Sequence, residues 1–237
     1  MRYYEFTTEH ECGYFEGKEA SSINNIFIDE CPSFFASVLM ERGWRRFGKG
    51  YFRPTCQDCD KCESIRIKVD EFKPPKTFRN VKNRNKETLH SLHRPSYSED
   101  KIELYKKYHL ERSQNRGWKL NEMDEDKYIK MFVEGAGEFG YEIRYFKDAK
   151  LIGVDYIDII KDGISSIYFF SDPEYGYLSL GTYSLLIQID MAKQLGLKYV
   201  YLGYVVRDNK SLTYKLKYQP HELLDGRPSN DELAIWN

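Results

Sequence analysis

The chain has 237 residues, 41% of them hydrophobic, which is enough to bury a core in one or two domains. No stretch approaches the roughly 20 consecutive apolar residues of a membrane span. Residues 1–15 also carry acids where a signal peptide has its apolar region, so a cytoplasmic protein without a membrane partner is expected. Lys and Arg number 36 against 37 Asp and Glu, and the net charge of −1 argues against a nucleic-acid binder that works through overall basicity.

The charge is unevenly spread. Residues 42–94 hold fifteen Lys or Arg against six acids, a net +9 that leaves −10 for the rest. A block of one sign reads either as a footprint for a polyanion or as a solvated face.

In chain order, the first clear periodicity covers residues 31–42, where Phe34, Phe35, Val38 and Leu39 recur at helical spacing and Gly43 supplies a stop. A cysteine knuckle follows at Cys56, Cys59 and Cys62. Its spacing suits a single thiophilic ion, and Cys12 beside Gly13 is the expected fourth ligand. Zinc and an iron–sulfur cluster both fit thiolates, buried free thiols are the alternative, and Cys31 is expected in the core. Residues 64–69 read as a strand through Ile65, Ile67 and Val69. Lys73-Pro74-Pro75-Lys76 then breaks regular structure. The division expected is a cysteine-containing N-terminal module over 1–73, a basic connecting segment over 74–96, partly helical at most, and a C-terminal domain over 97–237.

Ser98 caps a helical pattern in which Ile102, Tyr105, Tyr108 and Leu110 share a side, and Asp124 begins another that runs to Gly135. Three strands are expected at 142–146, 151–160 and 164–171, the last two joined by Asp162-Gly163. A helix over 182–194 closed by Gly196 and a strand over 199–206 complete the pattern. This is the order of a GNAT-like acyltransferase fold: α+β, with a mixed, largely antiparallel sheet.

Such a fold places its acyl donor at the mouth of the helix after the meander, here around residues 172–183. That segment lacks the Gly-rich spacing of a coenzyme A loop, which disfavours that donor. The helix start at Ser179, Leu180, Gly181 and Thr182 still offers backbone N–H groups to a phosphate, carboxylate or oxyanion, or is simply a cap.

Tyr51-Phe52-Arg53-Pro54, the cysteine triplet and Ile65-Arg66-Ile67 are followed by Ser165-Ser166-Ile167-Tyr168 with Asp172-Pro173, then by residues 178–183. Tyr201-Leu202-Gly203-Tyr204 and Tyr214-Lys215 complete a set of motifs that resembles the aminoacyl-tRNA protein transferases over about residues 12–227. Within them the chain resembles the bacterial aspartate/glutamate leucyltransferases, which carry a Cys-x-Tyr element like Cys12-Gly13-Tyr14. It departs from the family pattern at Val205, where an aromatic is usual, and at Ser211-Leu212, where Lys-Met is usual. The resemblance implies transfer of an aminoacyl group from a charged tRNA, leucyl-tRNA in this branch, to proteins beginning with Asp or Glu, marking them for degradation by the N-end rule pathway. An arginyl transferase, a noncatalytic tRNA-binding protein and a metal sensor are the alternatives, and DNA is not an expected partner.

An aminoacyl ester is already activated, so no cofactor is needed for the chemistry; positioning, oxyanion stabilisation and a modest base suffice. Asp172 is the candidate base, with Tyr168 and Tyr204 as further catalytic candidates. Arg53, Arg66 and Lys215 are candidates for the acceptor carboxylate. Tyr183, Tyr201, Gly203 and Tyr214 join Ser179, Leu180, Gly181 and Thr182 as candidate substrate contacts, and Arg79, Lys82, Arg84 and Lys86 would track the tRNA.

Overall fold

A computed structural model describes residues 1–15, 21–120, 122–229 and 231–237. Two sheets carry the architecture. The smaller has the order β1-β2-β4-β3, from β1 (Tyr3–His10), β2 (Ser21–Ile28), β3 (Arg45–Phe47) and β4 (Gly50–Pro54), all antiparallel. The helix expected before Gly43 is α1 (Ser33–Glu41), which buries Ala36, Leu39 and Met40.

The larger sheet comprises β5 (Glu63–Lys68), β6 (Leu89–His93), β7 (Gly140–Lys147), β8 (Lys150–Ile159), β9 (Gly163–Ser171), β10 (Tyr199–Val205) and β11 (His221–Leu223). Their order is β11-β5-β10-β9-β8-β7-β6. Every neighbouring pair is antiparallel except β9 and β10, so the sheet is mixed and GNAT-like as the sequence order implies. β5 pairs with β10 from Glu63 to Lys68, so Ile65, Ile67 and Val69 share one core with the C-terminal helix α5 (Leu180–Gln194). The proline-bracketed basic stretch folds as α2 (Lys76–Arg84), which buries Phe78 and Val81 against that core, and then as β6 on the sheet edge. Only two apolar residues are needed there, because α2 is covered on one side alone.

The other face of the sheet carries α3 (Glu99–Arg116) and the short α4 (Glu125–Tyr128), which continues as a π-helical turn over Ile129–Val133 rather than as one regular helix to Gly135. On α3 the buried positions include Ile102, Tyr105 and His109, at steps of three and four residues, whereas Leu110 falls one position beyond this stripe and is exposed. β7 and β8 turn through Asp148 and Ala149, both at positive φ, which gives a right-handed hairpin twist without glycine.

β9 and β10 pair only at Gly163, Ile164 and Ser165 with Tyr199, Val200 and Tyr201, and then part. β9 stays with β8 to Ser171, while β10 stays with β5 through a register shift after Tyr201. The resulting cleft at the middle of the sheet is where β3 of the smaller sheet meets the larger one.

That junction is ionic. Arg46 and Asp158 of β8 are both buried and joined by two hydrogen bonds, Nε to Oδ2 at 2.8 Å and Nη2 to Oδ1 at 2.6 Å, while Nη1 donates to Gly48 O at 2.8 Å. Replacing Arg46 by Met strands the Asp158 carboxylate in the core. Such a loss costs about 3–5 kcal/mol, so urea unfolding of Arg46→Met is expected to show a midpoint lowered accordingly, whereas Lys49→Met, which loses an exposed pair with Asp29, shifts it by less than about 1 kcal/mol.

Candidate active site

The parting of β9 and β10 opens a cavity of about 840 Å³. Its floor is β9, with Ser166, Ile167, Tyr168 and Phe169. One wall is the end of α3, where Tyr108, Arg112, Arg116 and Trp118 gather, and the opposite side is formed by Gly203 and Tyr204 of β10 with Lys210, Tyr214 and Lys215 after it. The start of α5 supplies Ser179, Leu180, Gly181, Thr182 and Ser184, and β3 sends in Arg45.

Charge is the dominant property of this lining. Arg45, Arg112, Arg116, Lys210 and Lys215 face the cavity, and among the described residues that line it there is no Asp or Glu. Arg45 occupies the gap between the parted strands. It donates to the carbonyls of Ser166 and of Ile167, the latter at 3.4 Å, and to Ser165 Oγ at 3.4 Å, taking over acceptors that β10 would otherwise meet. Burial holds its pKa below the usual arginine value without approaching neutrality. Lys215 is buried, donates to Tyr204 O, and is brought down to about 7 by burial first and the Arg45 charge second.

Gly203 makes this approach possible. Its φ is +76°, and a Cβ there would lie 2.7 Å from Arg45 Nε and 2.8 Å from Arg45 Cζ. A glycine within a strand is a signal of close approach.

At the helix mouth, Ser179 is in the left-handed region with φ 54° and ψ 48°. No side chain caps the first turn of α5, and the N–H groups of Thr182 and Tyr183 already bond to Ser179 O, which leaves those of Leu180 and Gly181 for a ligand. Arg84 of α2 donates to Ser179 Oγ at 3.0 Å, so the basic helix abuts the mouth. Lys82 pairs with Asp190, Arg79 bonds Pro74 O, and Lys86 is exposed beyond the helix.

Behind the floor lies a buried polar network. Asp155 accepts from Ser184 Oγ and, at 2.6 Å, from Gln188 Nε2, which also reaches Ser166 Oγ at 3.2 Å. Burial lifts the Asp155 carboxyl to about 7, an effect that its two donors only partly offset. The network holds Ser166 and Ser184, both on the cavity wall, in place.

Tyr168 lines the cavity and shares a 2.8 Å hydrogen bond with His109 Nε2. Burial raises the tyrosine pKa and lowers that of His109, which favours a neutral hydroxyl bonded to a neutral imidazole. Tyr204 contributes its ring, but its hydroxyl is turned away to Gly43 O at 2.9 Å and Phe52 O at 3.2 Å. Tyr214 also lines the cavity.

Several expected residues lie elsewhere. Asp172 is outside the cavity and is held by Lys107 at 2.8 Å and Lys150 at 2.9 Å. Burial would raise its pKa, yet the two lysines and the N–H of Glu174 bring it below the ordinary value, leaving a poor base. Arg66 pairs with Glu222 at 2.7 Å and lies over Tyr199 and Trp236, at 3.6 Å and 4.3 Å from their ring centres. Arg53 stacks on Trp44 and bonds Arg42 O and Pro228 O. Tyr201 bonds Asp162 and Arg66, and Tyr183 packs against Tyr145 beneath α5. These five do not line the cavity. The cavity residues Arg45, Arg112, Arg116 and Lys210 were not singled out from sequence; only the Arg45-Arg46 doublet and the in-strand Gly203 hint at the first of them.

The cysteines form a separate feature. Cys62 is pushed up to about 12, by burial first and then by the charges of Cys56, Cys59 and Cys12. Arg227 braces the knuckle through the carbonyls of Cys56 and Cys59. Among the described residues, however, no three Cys, His, Asp or Glu side chains are set closely enough to hold a metal ion. The donor set suits a thiophilic ion, but its placement does not close on one.

Residues 100–225 match the family model described as arginine-tRNA-protein transferase, C terminus, and residues 10–80 match the N-terminus model of the same family. Aspartate/glutamate leucyltransferase of Campylobacter jejuni (strain RM1221) is 43% identical over 220 residues, 93% of this chain and 92% of that protein. The protein of the same name from Helicobacter hepaticus (strain ATCC 51449 / 3B1) is 37% identical over 237 residues, 100% of this chain and 98% of that protein. Among solved structures, FemX aligns with a TM-score of 0.53 at 8% identity over 87% of this chain and 70% of its own, a likeness of fold alone.

Gly203→Ala brings Cβ against Arg45 Nε at a backbone conformation that L side chains rarely adopt. Equilibrium denaturation is expected to show a loss of about 1–3 kcal/mol, whereas Gly176→Ala, where a Cβ meets nothing within 4 Å, is expected to stay within about 0.5 kcal/mol of the parent.

Proposed function

The chain belongs to the arginine-tRNA-protein transferase family, and on that premise we propose that it transfers leucine from leucyl-tRNA to the α-amino group of proteins that begin with Asp or Glu. The observation that carries this reading is the cavity with five basic side chains and no lining carboxylate among the described residues, open beside a basic helix. It receives two anionic partners, a nucleic-acid terminus and an acidic first residue. The same lack of a carboxylate favours leucine over arginine as the transferred group. A guanidinium would find no counter-ion there, whereas Leu185, Leu202 and Phe169 offer an aliphatic side chain apolar wall.

In the reaction the acceptor amine attacks the ester carbonyl carbon of the leucyl group. The C–N bond forms, the bond from that carbon to the ribose oxygen breaks, and the proton given up by the amine is balanced by one taken up at the departing oxygen. The N–H groups of Leu180 and Gly181 suit the oxyanion that develops between these events. With no carboxylate lining the cavity among the described residues, the amine's proton goes to the neutral form of Lys215. Tyr168, held by His109, orients the reacting groups through its hydroxyl. No step is routed through the cysteines, which in this reading stabilise the N-terminal segment.

No helix among the described residues is long and apolar enough to cross a membrane. The basic residues of α2 and its end are offered to the tRNA next to the mouth: Arg84 at Ser179, with Arg79 and Lys86 outward.

Incubation with labelled leucyl-tRNA and a peptide beginning with Asp is expected to label the peptide, and labelled arginyl-tRNA is expected to leave it bare; the reverse pattern would refute the leucyl assignment. The pH profile tests Lys215. Its pKa is lowered, so the neutral base is scarce below pH 7 and grows above it, and log kcat/KM for the acceptor should rise with a slope near two below about pH 7 and near one from there to about 8, where the acceptor's own amine titrates. In Lys215→Met the rate should fall and only the break at about 8 should remain, with a slope near one below it.

A further inference from the structure

We propose that Arg45 receives the side-chain carboxylate of the acceptor's first residue and thereby sets the preference for Asp or Glu. This inference rests on the transfer reading above.

Neighbouring arginines on β3 have opposite fates. Arg46 is neutralised by Asp158, whereas the acceptors of Arg45 are uncharged: two carbonyls of β9 and the Ser165 hydroxyl. Those contacts occupy at most three of its five N–H groups, which leaves two or more without an acceptor among the described residues. They also fix the guanidinium rigidly against β9, so little side-chain freedom remains to be lost when a ligand binds.

A second basic side chain stands beside it. Arg45 lies against Gly203 and Lys215 donates to the carbonyl of the next residue, Tyr204, so the two are neighbours in a wall that carries no acid among the described residues, and the Arg45 charge is the second cause that depresses the lysine's pKa. Burial and the Arg45 charge favour the neutral amine of Lys215, so Arg45 is the fixed charge that an entering carboxylate meets and Lys215 keeps a lone pair for a proton.

Position separates Arg45 from the other cavity cations. Arg116 and Lys210 are exposed at the rim, and Arg112 lies over Tyr108 with Glu111 at 3.5 Å. These outer groups suit a phosphodiester arriving along α2 and the mouth of α5. Arg45 lies deeper, between the parted strands, where the end of a chain fits and a duplex does not. A carboxylate held there sets the α-amine of the same residue beside Lys215, the group that takes its proton.

The test is steady-state leucyl transfer by the full-length chain to peptides that begin with Asp or Asn and are otherwise identical. In the parent, Asp is expected to be preferred over Asn by more than a hundredfold. In Arg45→Gln the KM for the Asp peptide is expected to rise at least tenfold and the preference to collapse to within a few fold, with the KM for leucyl-tRNA unchanged within twofold. An unchanged Asp preference in the variant overturns the role of Arg45 while leaving leucyl transfer standing, as does an effect confined to the KM for leucyl-tRNA, which would assign Arg45 to the donor. Absence of leucyl transfer by the parent would overturn both readings. Arg45→Lys keeps the charge near the carbonyls but loses the planar fork, so it covers the case in which the glutamine variant does not fold. It should keep the parent circular dichroism and melting temperature while raising the peptide KM by tenfold or more, and a peptide KM at the parent value overturns the proposal.

Discussion

A three-residue strand carries two consecutive arginines, and the alternation of side chains along a strand sends them in different directions. Arg46 finds a buried carboxylate and ties the small sheet to the large one. Arg45 enters the gap between β9 and β10 and takes over carbonyls that a continuous sheet would have paired. The cavity therefore depends on a cation at the point where sheet pairing ends. Without a donor from β3, the freed carbonyls of Ser166 and Ile167 would need water or closure of the strands.

The electrostatics around this wedge follow from what is absent from the lining. Acids near the cavity are placed behind its wall and engaged there: Asp155 under Ser184 and Gln188, Asp158 on Arg46, and Asp172 between two lysines. A cavity so arranged stays attractive to anions, and burial keeps Lys215 close to neutrality, which limits the cost of setting it next to Arg45. Tyr168 and His109 add a neutral hydrogen-bonded pair, consistent with a site in which fixed dipoles do most of the positioning.

Much of the C-terminal half was legible in the sequence because its signals are local. Hydrophobic periodicity, the Ser98 and Asp124 helix starts and the Asp162-Gly163 turn each act over a few residues, and the elements follow them closely. The start of α5 was legible too, as a helix mouth with unused N–H groups. The smaller sheet was not read: β1 has an exposed pattern throughout, and β3 is only three residues long, so neither shows the alternation that marks a half-buried strand. At the site, Asp172 drew attention by its place in a motif, although its role is fixed by Lys107 and Lys150, distant in sequence. Arg45 gave little signal because what sets it apart is the lack of a carboxylate partner, and a partner's absence is a property of three-dimensional neighbours.

The place of β5 in the sheet has a consequence for how the molecule is made. Its two neighbours are β10 and β11, both near the C-terminus, so it has no strand to pair with while the chain is short. At the usual pace of translation, β5 leaves the ribosome roughly ten seconds before β10 does. Throughout that interval the segment rich in isoleucine and valine at residues 63–69 is an open edge that carries Arg66 and Lys68 and is flanked by Lys61 and Lys73, charges of the kind that discourage strand-to-strand association. These positive charges thus also guard an unfinished sheet during synthesis.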